Sequence, residues 1–333
     1  MKLLQTILFL ILSFQLSGME KFQGKYGRDY FVQLPEGYDA NEKYWLFVIV
    51  HGYKQKGEQI IGLYKKFGFK DKVITVAPSF PWSPEMGGYY QGLGGNSDKQ
   101  LIEIFKELGK RHKLHDRMIL WGHSGGSQYT HRFAMVHHKY VLACASSSGG
   151  TWGSPDKKAS HIPFAISCGE KDTGKSVAAA PMGRLDWYRS YRSQMIKDKM
   201  FFTDKVIPDM GHGIGKWCYS VADELFDLAA TGLFPNQREA FEQELKKLEA
   251  LAKSGEKGKL EYELSKLKNF KFPELKYSKV FVDDTSDEQK KKNIKMANEY
   301  GFTTNSKAEK YLKERYEYYL KEIVKPDLIK SLK

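Results

Sequence analysis

The residue of this chain best suited to chemistry is Ser124, in the run Gly122-His123-Ser124-Gly125-Gly126. Met118 to Gly122 is mostly large and apolar and reads as a buried strand; Ser127 to Met135 reads as a helix. A serine on such a corner, in the pattern G-x-S-x-G, holds its hydroxyl clear of neighbours. The next backbone N–H and a helix N-terminus then lie beside any oxyanion that forms. The flanking glycines remove Cβ atoms that would collide with strand and helix. The alternative is an ordinary turn in which the serine only caps the helix.

A serine becomes a useful nucleophile only when a base takes its proton and a carboxylate orients the base. The apolar strand IPFAISC ends in Gly169-Glu170-Lys171-Asp172, which puts Asp172 just beyond a strand's C-terminal end. Glu170 is its rival; Asp172 is preferred because the turn carries it further from the strand. Pro208-Asp209-Met210-Gly211-His212-Gly213 offers His212 as the base, flanked by glycines in a loop before a helix. His51 and His123 read as structural supports of their turns. This chemistry requires no metal or organic cofactor, and His137-His138, adjacent in one helix, cannot easily share a metal ion.

These residues need a scaffold that brings distant loops together. Trp45 to Val50 and Lys72 to Ala77 are apolar throughout, as expected of strands covered on both faces. Arg28 to Leu34 reads as an antiparallel edge strand. Further strands are expected at Tyr140 to Ser146, Ile162 to Ser167 and Phe201 to Ile207. Helices are expected at Gly57 to Phe67, Ser97 to His112, Asp186 to Lys197 and Trp217 to Ala230. This alternation predicts an α/β fold with a mostly parallel central sheet and helices on both faces. From Pro235 the texture changes: 41 of the last 99 residues are charged, and apolar residues recur at helical spacing. A helical hairpin broken at Ser254-Gly255-Glu256 is expected there, with later helices over Asp287 to Tyr300 and Ser306 to Val324.

The chain divides accordingly into a signal peptide over residues 1–18, a main domain over 19–234, and a charged all-helical C-terminal extension over 235–333. The first segment pairs Lys2 with an uncharged apolar run ending in small residues, so the mature protein is expected to be secreted or periplasmic, without stable membrane insertion. Three cysteines are too few for a disulfide scaffold; Cys144 reads as a buried hydrophobe, and a Cys168 to Cys218 bridge is an open alternative. The formal charge of +13 is read as a lysine-rich solvated surface, and no basic helix with interleaved aromatics points to nucleic acid. The extension is expected to pack against the main domain, with a protein or cell-surface partner as the alternative.

LPEGYD before the first central strand, HGYKQ at 51–55, GHSGGSQ at 122–128, CGEKD at 168–172 and MGHG at 210–213 together resemble an α/β-hydrolase. Residues from about 28 to 232 are most similar to exported esterases of the polyhydroxybutyrate depolymerase and feruloyl or acetylxylan esterase type. The resemblance implies Ser124 as nucleophile, Asp172 as acid and His212 as base, in the chain order of that superfamily. It also implies an oxyanion hole from the backbone N–H groups of Tyr53 and Gly125. Two features depart from the pattern: a glycine follows the serine where the depolymerase-like families more often have alanine, and TGKSVAAA after Asp172 lacks the usual hydrophobic contacts. The loop carrying Trp82, Tyr89 and Tyr90 is expected at the active-site rim with Trp152 and Trp217, offering flat surfaces for a sugar ring or a phenolic acyl group. The expected function is an exported serine carboxylesterase acting on a small-molecule or polysaccharide ester of carbohydrate or plant origin. The alternatives are a peptidase of the same fold, its site capped by the extension, and a non-catalytic binding protein.

Overall fold

The computed structural model describes residues 18–176, 180–273, 302 and 305–333. The expected signal segment, up to residue 17, and the expected helix over Asp287 to Tyr300 lie outside the described residues.

Eight strands form one sheet in the order β1-β2-β4-β3-β7-β8-β9-β10. Two of them, β1 (Met19–Gln23) and β2 (Asp29–Gln33), run antiparallel at one edge, and β2 joins β4 (Val73–Pro78) antiparallel. The others are parallel: β3 (Tyr44–Val50), β7 (Leu114–His123), β8 (Val141–Ser147), β9 (Phe164–Gly169) and β10 (Phe202–Ile207). A small hairpin, β5 (Trp82–Ser83) with β6 (Gly88–Tyr89), stands apart. The edge strand β1 had no visible pattern, because MEKFQ is short and mostly exposed.

Alternation along the strands divides the core into two layers. Leu46, Val48 and Val50 of β3 face one side with Leu120, Ile166 and Cys168. That side is covered by α2 (Ser97–Arg111), α3 (Gly125–Val136) and α4 (Arg184–Lys197). Trp45, Phe47 and Ile49 face the other side with Ile119, Ala143 and Ala165. There α1 (Gly57–Ile60), the 3-10 turn Ile61–Lys66 that continues it, and α5 (Lys216–Thr231) provide the cover. A strand with both faces buried must be apolar at every position, as β3 is.

The extension completes this second layer. Helices α6 (Pro235–Ser254) and α7 (Lys257–Lys266) form the expected hairpin, with Gly255 in the left-handed conformation between them. Helix α8 (Ser306–Tyr319) returns to the sheet and buries Ala308, Tyr311 and Leu312 in the same apolar cluster as Phe47. The Tyr311 hydroxyl donates to the Leu142 carbonyl at 2.8 Å, and Arg315 donates to the Ala229 carbonyl at 3.2 Å. Beyond it, Leu320, Val324 and Leu328 pack with Phe241, Leu248 and Leu260 of the hairpin. The sheet residues that α8 meets include Trp45, His115, Asp116, Arg117 and Leu142, all toward the starts of their strands. Among the described residues, no helix is long and apolar enough to cross a membrane.

The cysteines are all free and buried. Cys168 and Ser167 are neighbours in β9 and therefore point to opposite faces of the sheet. Cys218, on α5, lies on the Ser167 side, its sulfur 3.6 Å from the Ser167 hydroxyl and 3.3 Å from that of Ser147. The Cys168 sulfur lies on the other side, 3.8 Å from Asp172. The sheet itself separates the two thiols, so the alternative of a bridge between them is corrected.

Candidate active site

Ser124 stands between β7 and α3 with φ 57° and ψ −120°. A non-glycine residue in that conformation carries strain of about 1–3 kcal/mol, which the surrounding contacts must offset. Its N–H donates to the Ser147 carbonyl at 2.9 Å, tying the corner to β8. The neighbouring glycines are dictated by close approach. A Cβ on Gly122 would lie 2.4 Å from the Gly126 carbonyl carbon, and one on Gly126 would lie 2.1 Å from the Val50 oxygen.

Three loops at the C-terminal ends of the strands deliver the groups that meet here. The Ser124 hydroxyl lies 3.0 Å from His212 Nε2, and His212 Nδ1 lies 2.9 Å from Asp172 Oδ2. A carboxylate can only accept, so Nδ1 carries the proton and Nε2 is free to take one from the serine. Asp172 is only 2% exposed. Burial opposes its ionisation, but hydrogen bonds and charges from His212 and Arg184 outweigh burial and hold the carboxyl below its ordinary range. Arg184, the first residue of α4, donates from Nε to Asp172 Oδ1 at 2.6 Å. Glu170 is exposed and accepts from the Asp209 N–H at 2.9 Å, away from the histidine.

The Gly52–Tyr53 segment, just beyond β3, closes on the same point. A Cβ on Gly125 would lie 2.8 Å from the Tyr53 nitrogen, and one on Gly52 would lie 4.0 Å from Ser124 Cβ. Gly125 opens α3, where N–H groups lack helical acceptors. Among the described residues nothing accepts a hydrogen bond from the Tyr53 N–H. His51 fixes this loop from below: Nδ1 donates to the Gly52 carbonyl at 2.7 Å and Nε2 accepts from the Phe80 N–H at 2.9 Å. Both contacts require a neutral ring, and burial pulls its pKa down to about 4.

The expected aromatic residues separate into two groups. Trp82 and Tyr89 belong to the small hairpin at the surface; Tyr89 is 50% exposed, and Trp82 packs edge-on against Tyr53 with ring centroids 5.9 Å apart. Tyr53, itself 47% exposed, joins them, and Lys54 lies 5.5 Å from its ring centroid. Tyr90 and Trp152 are corrected. Tyr90 is fully buried and donates from its hydroxyl to the His51 carbonyl at 2.6 Å. Trp152 is buried against Tyr191 and His131. Trp217 packs partly buried against the second apolar layer.

No protein-family model matches the chain, and no curated protein matches it by sequence. Among solved structures it is similar to poly(aspartic acid) hydrolase-1 from Sphingomonas sp. KT-1, with 16% identity and a TM-score of 0.50, covering 61% of this chain and 95% of that one. It is also similar to LpqC, a poly(3-hydroxybutyrate) depolymerase from Bordetella parapertussis, with 17% identity and a TM-score of 0.51, covering 69% of this chain and 95% of that one. The chain has the α/β-hydrolase fold.

Both neighbouring chains are spanned almost completely, so this chain carries additional segments that neither of them has. One residue of its site left no trace in the sequence pattern. Arg184 is one cation among many, twelve positions after the carboxylate it holds, and nothing in RLDWYRS distinguishes it. His123 was visible as part of the corner, yet its ring packs beside His212 at 4.9 Å between centroids. Burial keeps it neutral, drawing its pKa down to about 4. Among the described residues, no group of three or more His, Cys, Asp or Glu side chains is arranged to hold a metal ion.

Proposed function

We propose that this α/β-hydrolase is an exported serine hydrolase, a carboxylesterase that cleaves carbohydrate- or plant-derived esters through an acyl-enzyme. The observation that carries the reading is the continuous contact from Ser124 through His212 to Asp172, at 3.0 and 2.9 Å. In this reading Ser124 attacks the ester carbonyl while His212 Nε2 takes its proton. Asp172 stabilises the imidazolium and keeps the ring in the tautomer that leaves Nε2 free. The N–H groups of Tyr53 and Gly125 and the N-terminus of α3 receive the oxyanion. His212 then protonates the departing alcohol, and water hydrolyses the acyl-enzyme by the same route.

The half-exposed Tyr53 and Tyr89, with Trp82 packed on Tyr53, support a substrate that presents a flat ring, either a sugar or a phenolic acyl group. The opening run MKLLQTILFLILSFQLSG supports export. A peptidase capped by the extension gains no support, because α8 contacts the starts of the strands and the triad lies at their ends.

The test is intact-mass spectrometry after treatment with a fluorophosphonate probe. One adduct on the wild type and none on Ser124→Ala is expected, together with turnover of short p-nitrophenyl esters that falls about 10³-fold or more in the variant. Absence of both adduct and turnover in the wild type would remove the reading.

A further inference from the structure

Asp172 is held from both sides. His212 occupies Oδ2 at 2.9 Å and Arg184 occupies Oδ1 at 2.6 Å, around a carboxylate almost sealed from solvent. The arginine is built in. Its backbone N–H donates to the Gly174 carbonyl, the next N–H, of Leu185, donates to the Asp172 carbonyl, and Nη1 donates to the Lys175 carbonyl at 3.2 Å. Gly174 and Gly183 leave room for this packing: a Cβ on Gly174 would lie 3.0 Å from Nη2, and one on Gly183 would lie 2.1 Å from the Thr173 oxygen. The other groups facing the pair carry no opposing charge. His123, at the end of β7, is neutral, and the Cys168 thiol of β9 is pushed up to about 12 by burial and by Asp172. Lys171 and Asp209 pair with each other at the surface, and Glu170 is engaged with the Asp209 N–H.

An aspartate bound only to histidine spends its whole charge on the imidazolium. Here a guanidinium cation shares that charge. We propose that Arg184 is a positioning residue that fixes Asp172 toward His212 and shares the carboxylate's charge, weakening its hold on an imidazolium there. This inference rests on the serine-hydrolase reading for its consequence in turnover, but its physical core concerns three side chains whether or not an ester is cleaved.

The experiment compares wild type, Arg184→Gln and Arg184→Lys by two readouts: the pH profile of kcat/KM on p-nitrophenyl acetate, and NMR titration of the His212 ring. A unit charge about 6 Å away is worth about 0.5 to 2 pH units as the effective dielectric constant goes from ~80 to ~20. Arg184→Gln should therefore raise the acidic midpoint by at least about 0.5 in both readouts, while Arg184→Lys, which keeps the charge, restores it toward wild type. A fall in kcat with both midpoints unmoved would mean a purely structural role and overturn the proposal. If wild type neither labels with the probe nor turns over esters, the catalytic reading fails alone, and the NMR titration still decides this one. The wild type provides a third readout that needs no variant: the Arg184 Nε–H resonance should shift as the His212 ring titrates, and an indifferent resonance would also overturn it.

Discussion

The hydroxyl of Tyr90 stands 2.6 Å from the point that a Cβ on Gly125 would occupy, while donating to the His51 carbonyl at the same distance. That pairing explains why a glycine follows Ser124 here. The space an alanine methyl would need is filled by the phenol that pins the His51–Tyr53 loop, and the Tyr53 nitrogen lies only 2.8 Å from the same point.

Gly125→Ala should therefore push the Tyr53 N–H out of alignment. Loss of one oxyanion donor costs about 10²–10³ in kcat, and a fall of that size in ester turnover is expected with the near-UV circular dichroism little changed. Turnover equal to wild type would exclude Tyr53 from the oxyanion site.

The exposed rim gives a different signature. Tyr53→Ala removes the half-exposed ring on which Trp82 packs and leaves the backbone donor in place. KM for aryl or sugar esters should rise about tenfold, the cost of losing roughly 1.4 kcal/mol of stacking, with kcat for p-nitrophenyl acetate preserved. Equal losses on acetate and on feruloyl esters would show that the ring makes no contact with the larger substrates.

Much of the candidate site was legible in the sequence. Ser124 and Asp172 each follow an apolar strand and His212 follows the more polar FTDKVI, and strand ends on one edge of a parallel sheet converge. The aromatic loop was half legible. Trp82, Tyr89 and Tyr90 share a stretch rich in proline and glycine that has no periodicity to separate inward from outward, so adjacent Tyr89 and Tyr90 ended on opposite sides of the surface. Arg184 was invisible because an ion pair across a loop has no fixed spacing. The cysteine question turned on one residue of register: had the sulfur stood at 167, it would have faced Cys218.

Buried neutral histidines should make the fold sensitive to acid. Unfolded, a histidine takes its proton near pH 6.5; in the fold, burial lowers this to about 4 for His51 and His123 and to about 3 for His115. Between these values the unfolded chain binds more protons, so stability is full above pH 6.5 and is lost as pH falls toward 4. The slope is about 1.4 kcal/mol per pH unit for each such histidine. Tm measured by calorimetry from pH 7.5 to 4.5 should fall steeply below 6.5; a level Tm between pH 7 and 5 would contradict it.

Removal of everything after Gly232 should yield aggregated or unfolded protein rather than a trimmed enzyme, because Phe234, Ala308, Tyr311 and Leu312 belong to the layer that covers Phe47. Tyr311→Ala, emptying a buried aromatic site and removing the hydrogen bond to the Leu142 carbonyl, should cost about 3–5 kcal/mol. Tyr311→Phe, which loses only the hydrogen bond, should cost about 1 kcal/mol. Chemical denaturation of the two full-length variants measures both. A soluble, cooperatively folding truncation would show that the sheet needs no cover from α8.

The layer over one face of the sheet joins residues far apart in sequence: Trp45 and Phe47 of β3, Tyr311 and Leu312 of α8. During synthesis the strands are made long before the helix that shields them, and contacts so distant in sequence form late. A growing chain therefore lacks part of the native cover of this face until α8 exists. Until then that part of the face is bare apolar surface, the kind of surface that a chaperone holds.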